Sequence, residues 1–136
     1  MFAFFAMLHG FSDWGLLALR FAIGAIFLAH GTSKWKMWKM QPSAQMPAAM
    51  LGIMRLLSIA EPLGALAVIF GFLIQPATLG LCLVMVGAIK MKTMDWKKTF
   101  AGDGGWEFDL IIFAACFALY FLGAGHIALD SMLFGL

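Results

Sequence analysis

Charge is what this chain has least of. Only 12% of its 136 residues are Asp, Glu, Lys or Arg, against 63% hydrophobic residues. A soluble domain carries about twice that share of charge. There is too little polar surface for water, so the solvent for most of the chain is lipid. Cysteine is nearly absent as well. Cys82 and Cys116 stand at unrelated spacing, which excludes a disulfide framework and a CxxC motif. There is no GxxxxGK, no HExxH and no paired-cysteine zinc pattern, so no metal ligand set is expected. The methionines are scattered without a regular MxxM repeat and read as core filler.

What the chain does have is long apolar runs. They predict an all-α integral membrane four-helix bundle, one membrane domain over 1–136, with helices at about 14–31, 50–73, 76–91 and 106–122. The N-terminal run Met1–Leu8 lacks Lys or Arg, so it is a poor signal peptide and reads as a short interfacial helix. Pro62 lies inside the second helix and frees the carbonyl four residues back, so a bend near Ser58 is expected. Gln75-Pro76 reads as a tight turn opening the third helix. Ala18, Ala22, Ala25 and Ala29, with Gly24, supply small residues for close packing of the first helix.

The few charges are unevenly placed. Every lysine, from Lys34, Lys36 and Lys39 to Lys90, Lys92, Lys97 and Lys98, falls in or beside the two long loops. The positive-inside rule therefore places those loops in the cytoplasm and both termini outside a plasma (inner) membrane. Trp35 and Trp38 among the first three lysines read as a headgroup-level anchor. Nucleic acid is not an expected partner: three lysines beside a lipid-buried chain do not make a basic reading surface.

A carboxylate in mid-membrane persists only if paired, protonated or functional, because a charge there costs roughly 2.5–3.5 kcal/mol on insertion scales. Glu61 is that carboxylate. Arg20 is its expected ion-pair partner, fixing helix register. His30, Lys90 and Glu107 fall in the same half of the bilayer, so His30, Glu61, Lys90 and Glu107 are expected to line one polar pocket there, with Arg20 reaching toward it. Glu107 and Asp109 cannot share a helix face. Glu107 aligns with the small residues Ala114 and Ala118, which makes it the expected inward carboxylate, with Asp109 and Lys34 secondary. Arg55, Lys90 and Lys92 are expected to snorkel to headgroups. Cys82 and Cys116 read as small core residues. No catalytic residue can be named.

At this point the motifs carry a resemblance. Arg20-Phe-Ala-Ile-Gly24-Ala-Ile-Phe27-Leu-Ala-His30-Gly31-Thr-Ser-Lys34, then Glu61-Pro62-Leu63-Gly64, then Gly104-Gly105-Trp106-Glu107 resemble, in matching order, the DoxX family of small bacterial and archaeal membrane proteins. The resemblance spans about Trp14 to Asp130. It implies a four-helix membrane protein tied to redox complexes, since the family is named for a small subunit of a terminal quinol oxidase. Relatives resemble the membrane subunit of thiosulfate–quinone oxidoreductase. The positions it carries over are Arg20, His30, Gly31, Lys34, Glu61, Gly64 and Glu107; Asp103 stands where the family often has Asn. No intrinsic cofactor is expected, and quinone is the small molecule the resemblance implies. Two readings stay open. One is a redox subunit, an oxidoreductase component, that binds quinone or passes it protons. The other is a non-catalytic accessory or scaffold subunit whose buried charges hold the bundle and dock a protein partner. A small transporter is a distant third. A homo-oligomer is left open.

Overall fold

A computed structural model describes residues 7–135. The expected interfacial helix over Met1–Leu8 lies outside the described residues except for its last two, which are helical and exposed.

Four helices make the body: α1 (Ser12–Ser33), α2 (Ala48–Phe70), α3 (Ile74–Lys90) and α4 (Glu107–Leu122). A short α5 (Leu129–Phe134) follows. A 3₁₀ helix, Lys34–Lys39, extends α1, and a π-helical turn, Met91–Asp95, extends α3. No strand occurs among the described residues. Three helical stretches, His9–Lys39, Ala48–Phe70 and Ile74–Asp95, are long and apolar enough to cross a membrane. With its 16 residues, α4 is shorter, roughly 24 Å at 1.5 Å per residue.

Consecutive helices run antiparallel. Gly24 of α1 lies against Ile69 of α2, while Gly31, further along α1, lies against Pro62, earlier in α2. A Cβ on Gly31 would come within 2.3 Å of the Pro62 ring, so the close approach of α1 and α2 requires glycine there. The two helices meet through these glycines. Ala18, Ala22, Ala25 and Ala29, expected to serve that contact, face outward instead. The second pair, α3 and α4, closes on itself through Leu81, Cys82, Met85, Ile112, Cys116 and Leu119, and meets the first pair at Ile23, Phe27, Ala65 and Val68. Large apolar side chains such as Phe21, Leu63, Leu83, Ile111 and Phe121 cover the outside. That surface suits lipid and no other solvent. Inside a bilayer the helices are held by packing and hydrogen bonds, since lipid tails are as apolar as Leu. The chain is a multi-pass membrane protein.

The turn between α2 and α3 differs from expectation. Gly71 ends α2 in the left-handed conformation, with Phe72 N–H on Ala67 O and Gly71 N–H on Val68 O, a Schellman stop. Thus α3 begins at Ile74, and Pro76 sits in its first turn, where a missing N–H costs nothing. The cap that sets this start comes from far along the chain. The Asp130 carboxylate accepts from Leu73 N–H at 2.7 Å and Ile74 N–H at 2.9 Å.

Candidate functional site

The polar interior is built at two ends of the bundle. The lysine-bearing end is organised by a defect in α2. Pro62 has no N–H for the Ser58 carbonyl. Trp35 supplies the missing donor: its indole N–H reaches Ser58 O at 2.9 Å. Trp38 Nε1–H donates to Ser58 Oγ at 2.9 Å, and that hydroxyl donates to Arg55 O at 2.6 Å. Arg55 in turn donates to Met37 O and Met40 O, and its guanidinium lies 5.8 Å from the Trp38 ring centre. The 3₁₀ helix is therefore strapped across the break in α2. One turn further on, Lys34 Nζ contacts Glu61 Oε2 at 2.5 Å, with the Glu61 side chain 3% exposed and that of Lys34 20%.

The same end holds a second ion pair. Lys92, carried on the π-helical turn, places Nζ 2.6 Å from Asp109 Oδ2, close but poorly aligned for a hydrogen bond, and 3.2 Å from Gly105 O. Asp109 is buried beside Ile112 and Cys116, the inward face of α4.

The opposite end is organised by Arg20, which is 2% exposed. Its Nη1 donates to Ala124 O at 2.6 Å, and its Nη2 to Ile69 O at 3.2 Å and Ile127 O at 2.8 Å. One side chain thus ties α1 to the end of α2 and to the connector before α5. Asp13 accepts the backbone N–H of His126 at 3.0 Å. A cavity of about 590 Å³ lies at this end, bordered by Asp13, Gln75 and His126.

The sequence-predicted residues are thus dispersed. Arg20 does not pair with Glu61. Glu61 lies opposite Gly31, eleven residues beyond Arg20 on α1, or about 16 Å at 1.5 Å per residue. Lys34, expected as secondary, is the partner. Glu107 is exposed and Asp109 is the inward carboxylate, the reverse of expectation. Small residues do not mark the inner face of α4, because lipid accepts Ala114 and Ile111 alike. Lys90 is exposed. His30 is exposed too, with Nδ1 2.8 Å from Ile26 O and its ring 6.4 Å from that of Phe108. The shared pocket of His30, Glu61, Lys90 and Glu107 does not assemble. Arg55 caps the 3₁₀ helix and Lys92 makes an ion pair, where both were expected to snorkel. Cys82 and Cys116 are free and buried between α3 and α4, as small core residues would be. Ser58, Trp35, Trp38 and Asp130 were missed as polar partners. The position four residues before Pro62 was the available signal for Ser58; Asp130 left none. No group of three or more His, Cys, Asp or Glu is placed to hold a metal among the described residues.

These contacts involve Arg20, Gly31, Lys34, Glu61 and Pro62, the residues of the first two motifs. The model of the family described as DoxX matches residues 15–96, which cover α1 from Gly15 onward and all of α2 and α3 with their extensions. The Gly104-Gly105-Trp106-Glu107 motif lies beyond that match. No curated protein and no solved structure matches the chain. The match covers more than half of the chain and includes the whole strapped proline of α2, and on that ground the chain belongs to the DoxX family.

Proposed function

We propose that this chain is a small membrane subunit of a quinone-linked redox assembly, and that its lysine-end charges are structural. The observation that carries the second half is that each buried carboxylate at this end meets a lysine of the same chain. Glu61 is held by Lys34, and Asp109 lies against Lys92. A carboxylate that moves protons needs a second partner to pass them to, and the partner of Glu61 among the described residues is Lys34, beside the segment that the two tryptophans fasten to Ser58. The redox half rests on the family. The chain then serves as an accessory subunit: the bundle holds itself together and offers a partner protein its surface. The lysine loops face the cytoplasm in this reading, by the same lysine asymmetry, and the membrane is the plasma membrane.

Two measurements test it. Mild purification from native membranes should recover the chain with a redox protein whose quinone turnover persists in the Lys34→Met, Glu61→Gln double variant. Loss of turnover with the assembly intact would give Glu61 a chemical role. Cysteine labelling from outside, in a background lacking Cys82 and Cys116, should reach position 131 and not position 43; the reverse overturns the orientation.

A further inference from the structure

The two basic segments at the lysine-bearing end differ in what surrounds their charge. From Lys90 to Asp109 four lysines stand among four acids, Asp95, Asp103, Glu107 and Asp109. Between Trp14 and Ala60 there is no Asp or Glu at all, while that stretch carries, Arg20 apart, Lys34, Lys36, Lys39 and Arg55. Lys34 is neutralised by Glu61. Among the described residues no carboxylate lies within ion-pair distance of Lys36, Lys39 or Arg55. The excess positive charge of this end therefore sits on the Lys34–Lys39 helix and the start of α2, not on the second loop.

The 3₁₀ geometry sorts the first segment into three faces, because side chains three apart eclipse one another. Trp35 and Trp38 share the face that donates to Ser58. Lys34 and Met37 share a half-buried face, with Lys34 on Glu61. Lys36 and Lys39 share the third, and both are exposed. They stack roughly 6 Å apart along the axis, at about 2.0 Å of rise per residue. Like charges so placed repel each other, and an anion between them removes the repulsion. Arg55 adds a third cation to the segment, fastened to Met37 O and Met40 O.

The class of anion is set by depth. The segment continues the first spanning helix at its end. Trp35 and Trp38 are 58% and 53% exposed although both indole N–H groups are turned inward on Ser58. What the rings offer outward is thus apolar, and such rings belong at the headgroup boundary. Leu56 and Ile59 on α2 are exposed as well and extend the apolar surface. A soluble polyanion would meet the lysines and leave the rings unused. An anionic phospholipid meets both. A phosphatidylcholine headgroup brings a cation of its own to a site already positive.

We propose that Lys36, Lys39 and Arg55 bind the phosphate of an anionic phospholipid, with its acyl chains laid on Trp35, Trp38 and Leu56. The site is independent of the redox reading and does not need a partner protein.

The test uses the full chain, purified into nanodiscs holding equal amounts of phosphatidylcholine and phosphatidylglycerol, then released into a mass spectrometer so that the lipids retained per chain are counted. Wild type should retain phosphatidylglycerol over phosphatidylcholine roughly threefold or more. The Lys36→Gln, Lys39→Gln double variant should bring the ratio close to one. Lys97→Gln with Lys98→Gln removes as much charge from the second loop and should keep the wild-type ratio. All four lysines are exposed, and helical circular dichroism of wild-type amplitude confirms that both variants fold. A wild-type ratio near one, or a Lys36, Lys39 variant that loses no more than the Lys97, Lys98 variant, overturns the proposal. So does displacement of the retained lipid by millimolar glycerol 3-phosphate, which would assign the cations to a free phosphate ester. Any of these failures leaves the accessory-subunit reading standing, because that reading is tested by recovery of the assembly.

Discussion

The two ends of the bundle solve one problem in opposite ways. At the lysine-bearing end, a buried carboxylate meets a cation on a side chain that is partly exposed. At the far end, a buried cation is met by backbone carbonyls from two segments, with no carboxylate in contact among the described residues. The first arrangement is built around a helix defect and repairs it. The second has no defect to repair; it fastens the connector after α4 onto α1 and α2. A counter-charge on a flexible lysine stem can swing toward headgroups when its partner is lost. Carbonyls fixed in backbone cannot. The far end should therefore be the more brittle of the two.

The sharpest way to break this contrast is Arg20→Met. Three carbonyls lose their donor together, so a loss of roughly 3–5 kcal/mol is expected in equilibrium unfolding. A loss below that of the lysine-end variants would show the far end is not the brittle one.

Next in size is the Lys34–Glu61 pair. Lys34→Met leaves Glu61 buried without a partner and should cost about 2–3 kcal/mol. Glu61→Met should cost less, because Lys34 is 20% exposed and can turn outward. The double variant should recover at least about 1 kcal/mol of the summed losses. Additive losses would mean that the contact contributes nothing.

The repaired proline gives a smaller effect. Trp35→Phe keeps the ring and removes the donor to Ser58 O, and should cost about 1–2 kcal/mol. In a Pro62→Ala background the backbone N–H returns, and the same substitution should cost almost nothing. Equal losses in both backgrounds would show that the indole bond does not serve the proline break.

The smallest expected effect separates two acids of α4. Glu107→Ala should stay within about 0.5 kcal/mol, as exposed positions do. Asp109→Ala should exceed it by about 1 kcal/mol or more, since it leaves Lys92 without its counter-charge. The reverse order would turn α4 about its axis, as the small-residue argument had it.

How much was legible in the sequence follows the same division. Glu61 as the buried carboxylate and Pro62 as the break were readable, because each is an anomaly in an apolar run. The partner of Glu61 was only half readable. Lys34 stood in the loop, and nothing in its spacing said that the 3₁₀ helix folds back over α2. The rotation of α4 was not readable, since a lipid-facing helix has no polar face to contrast with its inner one. Arg20 was the least readable of all. Its partners are backbone carbonyls of Ile69, Ala124 and Ile127, and a carbonyl has no signature in a sequence. Asp130 capping α3 from fifty-six residues away displaced the expected turn for a similar reason.

The strap over Pro62 also bears on the order of synthesis. Trp35, Trp38 and Lys34 precede Ser58 and Glu61 in the chain, so their donors have left the ribosome before α2 does. The carbonyl freed by Pro62 and the Glu61 carboxylate can be satisfied as soon as the second segment enters the membrane. Arg20 emerges first among these groups, yet two of its three acceptors, Ala124 and Ile127, emerge near the end. A nascent chain arrested after α3 thus has its proline break already closed and its arginine still waiting.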